Sequence, residues 1–213
     1  MSLRHPIISV TGSSGAGTST VKHTFDQIFR REGIKAVSIE GDAFHRYDRA
    51  EMKSELARRT AEGDYTFSHF SYEANELVEL ERVFREYGET GKGRTRHYVH
   101  DDKEAERFQA PPGTFTDWSP FEDGSDLLFY EGLHGAVSNN EVNIARFSDL
   151  KVGVVPVINL EWIQKIHRDR AHRGYSTEAV TDVILRRMHA YVHCICPQFT
   201  ETDINFPVSY THL

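Results

Sequence analysis

Ile7-Ile8-Ser9-Val10-Thr11-Gly12-Ser13-Ser14-Gly15-Ala16-Gly17-Thr18-Ser19-Thr20 decides the architecture. Ile7 to Val10 is a β-branched run ending in the glycine cluster Gly12, Gly15 and Gly17. From Ser19 to Arg31 the apolar residues Val21, Phe25, Ile28 and Phe29 recur at helical spacing, and Gly33 supplies a stop. A strand that opens through glycines into a helix gathers backbone N–H groups and the positive helix end at one point, where an anion binds. Gly12 to Ser19 matches G-x-x-x-x-G-K-[ST] except that Thr18 stands in place of lysine. Gly12, Ser13, Ser14, Gly15, Ala16, Gly17, Thr18, Ser19 and Thr20 are therefore expected to hold nucleotide phosphates, with the Ser19 hydroxyl also placed for Mg²⁺. An ordinary glycine-rich turn is the plainer alternative, and the flanking strand and helix tell against it. What the loop lacks is the lysine's charge, so a phosphotransferase built on it needs a cation from elsewhere in the chain.

Outward from the loop, Ala36 to Glu40 reads as a second strand ending at Gly41-Asp42, with the intervening helix making the two parallel. Polar helices are expected at about Arg49 to Glu62 and Glu73 to Tyr87, stopped by Gly63 and Gly88. Gly91 to Trp118 reads mostly as loop, with a short strand near Arg96 to His100. Leu127 to Tyr130 and Val152 to Ile158 read as central strands, and helices should cover Glu161 to Arg170 and Ser176 to about His193. The pattern is α/β, a three-layer sandwich of mostly parallel sheet with helices on both faces.

Ligands of open α/β sheets sit beyond the carboxyl ends of the strands. Asp42 and Glu131 both follow strands there, which suits Asp42 as the base for an acceptor hydroxyl and Glu131 as a metal partner; capping of the next helix is the alternative for each. Lys165 to Gly174 packs one Lys, three Arg and two His around Asp169. A solvated helix face would explain such a run, but this one follows a strand, ends in glycine and supplies the missing cation. Lys165 is assigned to the transferring phosphoryl group, and Asp169 as a second acid near Mg²⁺. His45, Arg49 and Lys53 recur every four residues, lining one helix face with donors for an acceptor that itself carries phosphate.

The 32 acidic against 25 basic residues give a net charge of −7, which argues against a nucleic-acid partner. No apolar run reaches the ~20 residues of a membrane span, and Met1 to His5 lacks the apolar core of a secretory signal, so cytoplasmic residence is expected. Cys194 and Cys196, one residue apart, fit a reducing compartment. His189 and His193 share a helix face, but the two cysteines do not comfortably join it, so a buried helix end accounts for the group better than a metal.

Together with the loop, Glu40-Gly41-Asp42-Ala43-Phe44-His45-Arg46, Phe129-Tyr130-Glu131-Gly132-Leu133-His134-Gly135 and Lys165-Ile166-His167-Arg168-Asp169 closely resemble the bacterial phosphoribulokinases of the P-loop phosphoribulokinase/uridine kinase family, in which Thr18 is shared. The resemblance implies transfer of the γ-phosphoryl group of MgATP to the C1 hydroxyl of D-ribulose 5-phosphate, the Calvin-cycle step giving ribulose 1,5-bisphosphate. It implies Asp42, Lys165 and Asp169 as catalytic residues, and Ser19, Glu131 and Asp169 at the metal. It places His45, Arg49, Lys53, Tyr98, His134, Arg168 and Arg173 at the sugar phosphate. It also implies a homo-oligomer activated by NADH and inhibited by AMP, with Arg31, Arg186 and Arg187 at regulatory positions. The likeness runs to Asn205-Phe206, which sets a kinase domain at 1–206, a tail outside the family at 207–213, and a truncated chain whose sheet is incomplete at its C-terminal end. A uridine kinase-like nucleoside kinase and a non-catalytic nucleotide-binding module are the rival readings; a neutral nucleoside needs no phosphate clamp at His45, Arg49 and Lys53.

Overall fold

A computed structural model describes residues 5–208, leaving aside the side chains at 158–160, 164, 172, 173 and 208. Five of its strands form one parallel sheet: β1 (Ile7–Thr11), β2 (Ala36–Glu40), β5 (Leu127–Gly132), β6 (Leu150–Pro156) and β7 (Ile204–Val208), in the order β2-β5-β1-β6-β7. A short antiparallel pair, β3 (Arg94–Thr95) with β4 (Ser119–Pro120), stands apart. The helices are α1 (Thr18–Glu32), α2 (Arg49–Ala61), α3 (Leu77–Thr90), α4 (Asp102–Phe108), α5 (Ile158–Arg173) and α6 (Thr177–Ala190).

Alternation along the strands sorts the core onto the two faces of the sheet. Ile7, Ile39, Leu128 and Tyr130 pack against Leu80, Val83, Phe84 and Tyr87 of α3. Val10, Leu127, Phe129, Val152 and Val154 pack against Phe29 of α1, with the Phe25 and Phe129 rings 5.1 Å apart. Each fully buried aromatic or aliphatic side chain contributes roughly 1.5–3 kcal/mol, so these two layers hold the sheet between its helices. Helix ends follow local chemistry. Asp48 and Glu51 form a reciprocal capping box at the start of α2, Ser176 caps α6, and Gly33 and Gly174 end α1 and α5 in the left-handed region.

The α/β class and the interior placement of β5 and β6 agree with the sequence reading, and several element limits differ. Gly88 does not stop α3: Phe84 and Tyr87 are fully buried on the sheet, which outweighs the roughly 1 kcal/mol an interior glycine costs, and the helix ends at Gly91. The expected helix start at Glu73 is a 3₁₀ turn at Tyr72–Ala74. Between Gly91 and Trp118 the strand lies at Arg94–Thr95 rather than 96–100, and α4 forms behind the Asp101 cap. α4 carries few apolar residues and so shows no periodicity. After α6 the chain continues through a π turn (Tyr191–Ile195) and a 3₁₀ turn (Cys196–Thr200) before β7. β7 was not anticipated; Pro207 obscures it, and it lies at an edge, where proline is tolerated. The boundary expected after residue 206 falls inside β7, and residues 209–213 lie outside the described residues.

One close approach sets the position of the site. A Cβ on Gly132 would stand 2.6 Å from the Gly41 Cα, and one on Gly41 would stand 2.8 Å from the Gly132 Cα, so the ends of β2 and β5 meet glycine to glycine. Neither backbone has a flexible end that could yield. Gly132→Ala is expected to lower the unfolding free energy by about 1–3 kcal/mol, read as a lower urea midpoint at unchanged m-value.

Candidate active site

Three elements follow the carboxyl ends of β1, β6 and β2. The first is the glycine loop. Gly15 and Gly17 adopt φ of 101° and 99°, which only glycine takes up without strain. Gly17 is the N-cap of α1 and has no side chain to cap the first turn; its carbonyl takes the Thr20 N–H at 3.0 Å, and the Thr18 and Ser19 N–H groups at the helix start are the ones suited to an anion. Gly12 donates its N–H to the Gly132 carbonyl at 3.1 Å, tying the loop to the end of β5. Ser13 and Ala16 are buried, whereas Ser19 and Thr20 are exposed. Thr18 is buried and its hydroxyl meets Glu131, so the residue in the lysine position faces inward and steadies an acid.

The second element is α5. Its first turn lies on the loop: Glu161 O and Cγ and Lys165 Cβ stand 3.5–3.6 Å from where a Gly15 Cβ would be. Lys165 is 7 % exposed, and its Nζ donates to Asp169 Oδ2 at 2.7 Å. Arg168 Nε donates to the other Asp169 oxygen at 3.0 Å, and its Nη2 reaches Ser14 Oγ at 3.3 Å. Burial and the nearby Arg187 push the Lys165 ammonium down to about 8 in spite of Asp169, while Lys165 and Arg168 hold Asp169 below the usual carboxylate range against its burial. Charge absent from the loop is thus delivered to its edge. Glu161, 5 % exposed with its carboxyl pushed up by burial, lines a narrow recess with Ser14, Phe70, Trp162, Lys165 and Arg187.

Asp42 forms the third element, in a 3₁₀ turn (Gly41–Phe44) after β2. Its Oδ1 lies 3.1 Å from His45 Nε2 and its Oδ2 lies 3.5 Å from His100 Nε2, with the side chain 40 % exposed to the crevice. Burial works against its charge, yet His45, by charge and by hydrogen bond, together with His100 outweighs it and holds the carboxyl well below its usual range. Arg96 stitches this turn in place, donating to the Ala43 and His45 carbonyls at 2.8 Å each while its guanidinium lies 3.7 Å from the Phe115 ring centre. Arg49 donates to the His100 carbonyl at 2.8 Å, and the Tyr98 ring stands 4.9 Å from that of His100 and 6.3 Å from that of His45.

Several sequence expectations change here. His45 is not on a helix face with Arg49 and Lys53: Asp48 caps α2, so His45 precedes it in extended backbone at φ −63°, ψ 139°. Arg49 and Lys53 do lie on α2, both exposed. His134 is 2 % exposed, stands 3.1 Å from Asn75 Nδ2, and is kept uncharged by burial, its titration pushed down to about 3. It supports the site from behind rather than meeting an anion. The Arg173 side chain lies outside the described residues. Of the expected regulatory residues, Arg31 pairs with Glu32, Arg186 meets Asp182 and Thr60, and Arg187 meets His69 and Phe70. Sequence reasoning missed His69, Asn75, His100 and Glu161, whose types carry no pattern until the fold gathers them.

Glu131 ends β5 opposite Glu40, and burial together with Asp42 and Glu40 pushes its carboxyl up, a strain that a cation would relieve. Among the described residues no three His, Cys, Asp or Glu side chains gather as a closed metal cage. Two separate carboxylates and an exposed serine hydroxyl suit Mg²⁺, which takes few protein ligands and completes its shell with water and substrate phosphates.

Residues 7–213 match the family model described as phosphoribulokinase/uridine kinase. Phosphoribulokinase 1 of Cereibacter sphaeroides is 82 % identical over 206 residues, 97 % of this chain and 71 % of that protein. Phosphoribulokinase of Nitrobacter vulgaris is 69 % identical over 203 residues, 95 % of this chain and 70 % of the relative. The solved phosphoribulokinase from Rhodobacter spheroides superposes with a TM-score of 0.85 at 74 % identity, covering 98 % of this chain and 73 % of that one. D-glycerate 3-kinase from Cryptococcus neoformans, at 14 % identity and a TM-score of 0.62 over 96 % of this chain and 86 % of its own, shares the fold. With its glycine loop, lysine-bearing helix and strand-end acids in this arrangement, the chain belongs to the phosphoribulokinase/uridine kinase family.

Proposed function

We propose that this chain transfers the γ-phosphoryl group of ATP to the C1 hydroxyl of D-ribulose 5-phosphate, giving ribulose 1,5-bisphosphate in the Calvin cycle. The observation that carries the reading is the carboxylate of Asp42, exposed to the crevice and bracketed by His45 and His100, with Arg49 and Tyr98 beside it. An acid set among cationic donors suits an acceptor that brings both a hydroxyl and a phosphate.

In this reading the loop amides and the α1 N-terminus hold the donor phosphates. Lys165 and Arg168 offset charge developing on the transferred group, and Asp169 fixes both by pairing with them. Asp42 orients the acceptor hydroxyl and takes its proton, while His45, Arg49, Lys53 and Tyr98 receive the acceptor's phosphate. Ser19, Glu131 and Asp169 are the residues that would hold Mg²⁺, which when bound neutralises phosphate oxygens. The same reading includes cytoplasmic residence and a homo-oligomer activated by NADH and inhibited by AMP, supported by identity to phosphoribulokinases. Among the described residues no helix is long and apolar enough to cross a membrane.

Coupled ADP release against a panel of phosphate acceptors tests the assignment: ribulose 5-phosphate should exceed uridine, and the reverse preference would overturn it. Asp42→Asn is expected to lower kcat by about 10²–10⁴ with KM for the sugar phosphate changed only a few-fold. Lys165→Met should lower kcat by about 10²–10³, since one preorganised charge on the transferring group is lost. Because the histidines hold Asp42 ionised below the usual carboxylate range, it binds no proton near neutrality. His45→Gln leaves the burial of Asp42 opposed by fewer charges and should therefore bring into a kcat/KM profile between about pH 4.5 and 8 an acid limb that the wild type does not show there.

A further inference from the structure

Asn75 follows the 3₁₀ turn Tyr72–Ala74 and is 3 % exposed. Its Nδ2 lies 2.8 Å from the Ser71 carbonyl, 3.0 Å from the His69 carbonyl and 3.1 Å from His134 Nε2, and its Oδ1 lies 2.8 Å from His45 Nδ1. Two backbone carbonyls can only accept, so the amide has a single sensible orientation, nitrogen toward them and oxygen toward His45. An oxygen at that place requires a proton on His45 Nδ1. The other ring nitrogen, Nε2, faces Asp42 Oδ1 at 3.1 Å. A ring with Nδ1 protonated meets Asp42 either with a bare lone pair, which an ionised carboxylate repels, or with a second N–H. A neutral ring protonated on Nε2 would satisfy Asp42 alone, and the Asn75 oxygen excludes it.

We propose that Asn75 is a positioning residue that keeps the second proton on His45, so that an imidazolium stands between Asp42 and the phosphate of an anionic acceptor. The choice of acceptor rests on the function proposed above; the proton placement does not.

The groups facing His45 fit this assignment. Asp42 favours the cation, as does Asn75, and together they overcome the burial and the Arg187 charge that oppose it. His69, with ring centres 5.6 Å away, is pushed down to about 3, chiefly by burial, and adds no charge at neutral pH. Tyr98 offers a phenol held above its ordinary range by burial, and His134, behind Asn75, is uncharged. Arg96 binds the His45 carbonyl rather than its ring, and His100 sits across the second oxygen of Asp42. The Asn75 oxygen is thus the neighbour that selects which nitrogen keeps its proton.

The test is histidine-ring ¹⁵N NMR on the 213-residue chain, with His45→Gln identifying the His45 signals. In the wild type both His45 nitrogens should stay protonated to a pH above the ordinary histidine midpoint of about 6.5. Asn75→Ala should lower that midpoint by about one unit, a tenfold change in proton affinity, and bring up the tautomer protonated on Nε2. Asn75→Asp, which keeps an acceptor oxygen and adds negative charge, should raise it. Kinetics give a second readout: Asn75→Ala should raise KM for the sugar phosphate about 5–20-fold at pH 8 while kcat stays within about threefold, and should add nothing in a His45→Gln background. A His45 midpoint unmoved in folded Asn75→Ala, or moved the same way by Ala and Asp, overturns the proposal. A wild type that titrates as described yet phosphorylates no sugar phosphate overturns the acceptor assignment and leaves the proton placement standing.

Discussion

A phosphate-binding loop without its lysine has to import positive charge, and that constraint organises the rest of this site. Backbone amides and a helix dipole attract a resting polyphosphate, but they are fixed partial charges and do not follow a phosphoryl group in transfer. Here a full charge comes from α5, whose Glu161 and Lys165 lie against the loop so closely that a Cβ on Gly15 would meet them at 3.5–3.6 Å. Lys165 alone would be a costly buried ammonium. Pairing with Asp169, itself shared with Arg168, holds it in place and favours its charge, against the burial and the Arg187 charge that bring it closer to losing its proton. Thr18, freed from contacting phosphate, turns inward to Glu131. The exchange of one residue type is thus answered at four positions on two other elements.

The acceptor side is built differently. Asp42 is placed by the glycine contact between β2 and β5, and its environment by segments that have no regular structure of their own. Arg96 and the Tyr98 to His100 stretch close around it from the region between α3 and β5, and Arg49 at the start of α2 ties down the His100 carbonyl. Behind it a buried polar chain runs through His45, Asn75 and His134 to Gln198, whose amide oxygen accepts from Ala136 N and from Thr11 on β1. Such a chain in a low-dielectric interior is costly if any member goes unmatched, so its members restrain one another.

The regular part of this fold was legible because its signals are local. Glycine positions, β-branched runs and 3.6-residue spacing gave the loop, α1, β2, β5 and β6, and the family motifs lie on those same elements. Asp42, Glu131, Lys165 and Asp169 could be read because each follows a strand or shares a helix turn with its partner. His69, Asn75 and His100 could not. Each depends on long-range packing, and the spacing of His45 to Arg49 even misled, since four residues apart means one face only if both lie on one helix. The Asp48 cap breaks that condition. α4 and β7 escaped for the opposite reason, being too polar or too interrupted to show a period.

One tension remains in the chemistry, and its resolution says what Asp42 is for. A carboxylate held by two histidines below its ordinary range is a weak base, whereas an acceptor hydroxyl is a weak acid. Were the proton to leave before attack, this environment would be a poor choice. Phosphoryl transfer, however, passes through a loose transition state with little bonding to the incoming oxygen, so the hydroxyl becomes strongly acidic only as its bond to phosphorus forms. The demand on Asp42 is then direction more than basicity: to accept a hydrogen bond from the hydroxyl and hold it in line. An ion pair with His45 serves that demand, because it keeps the carboxylate charged and fixed for as long as the imidazolium keeps its second proton, and it gives the acceptor's phosphate a cation next to the group that aims its hydroxyl.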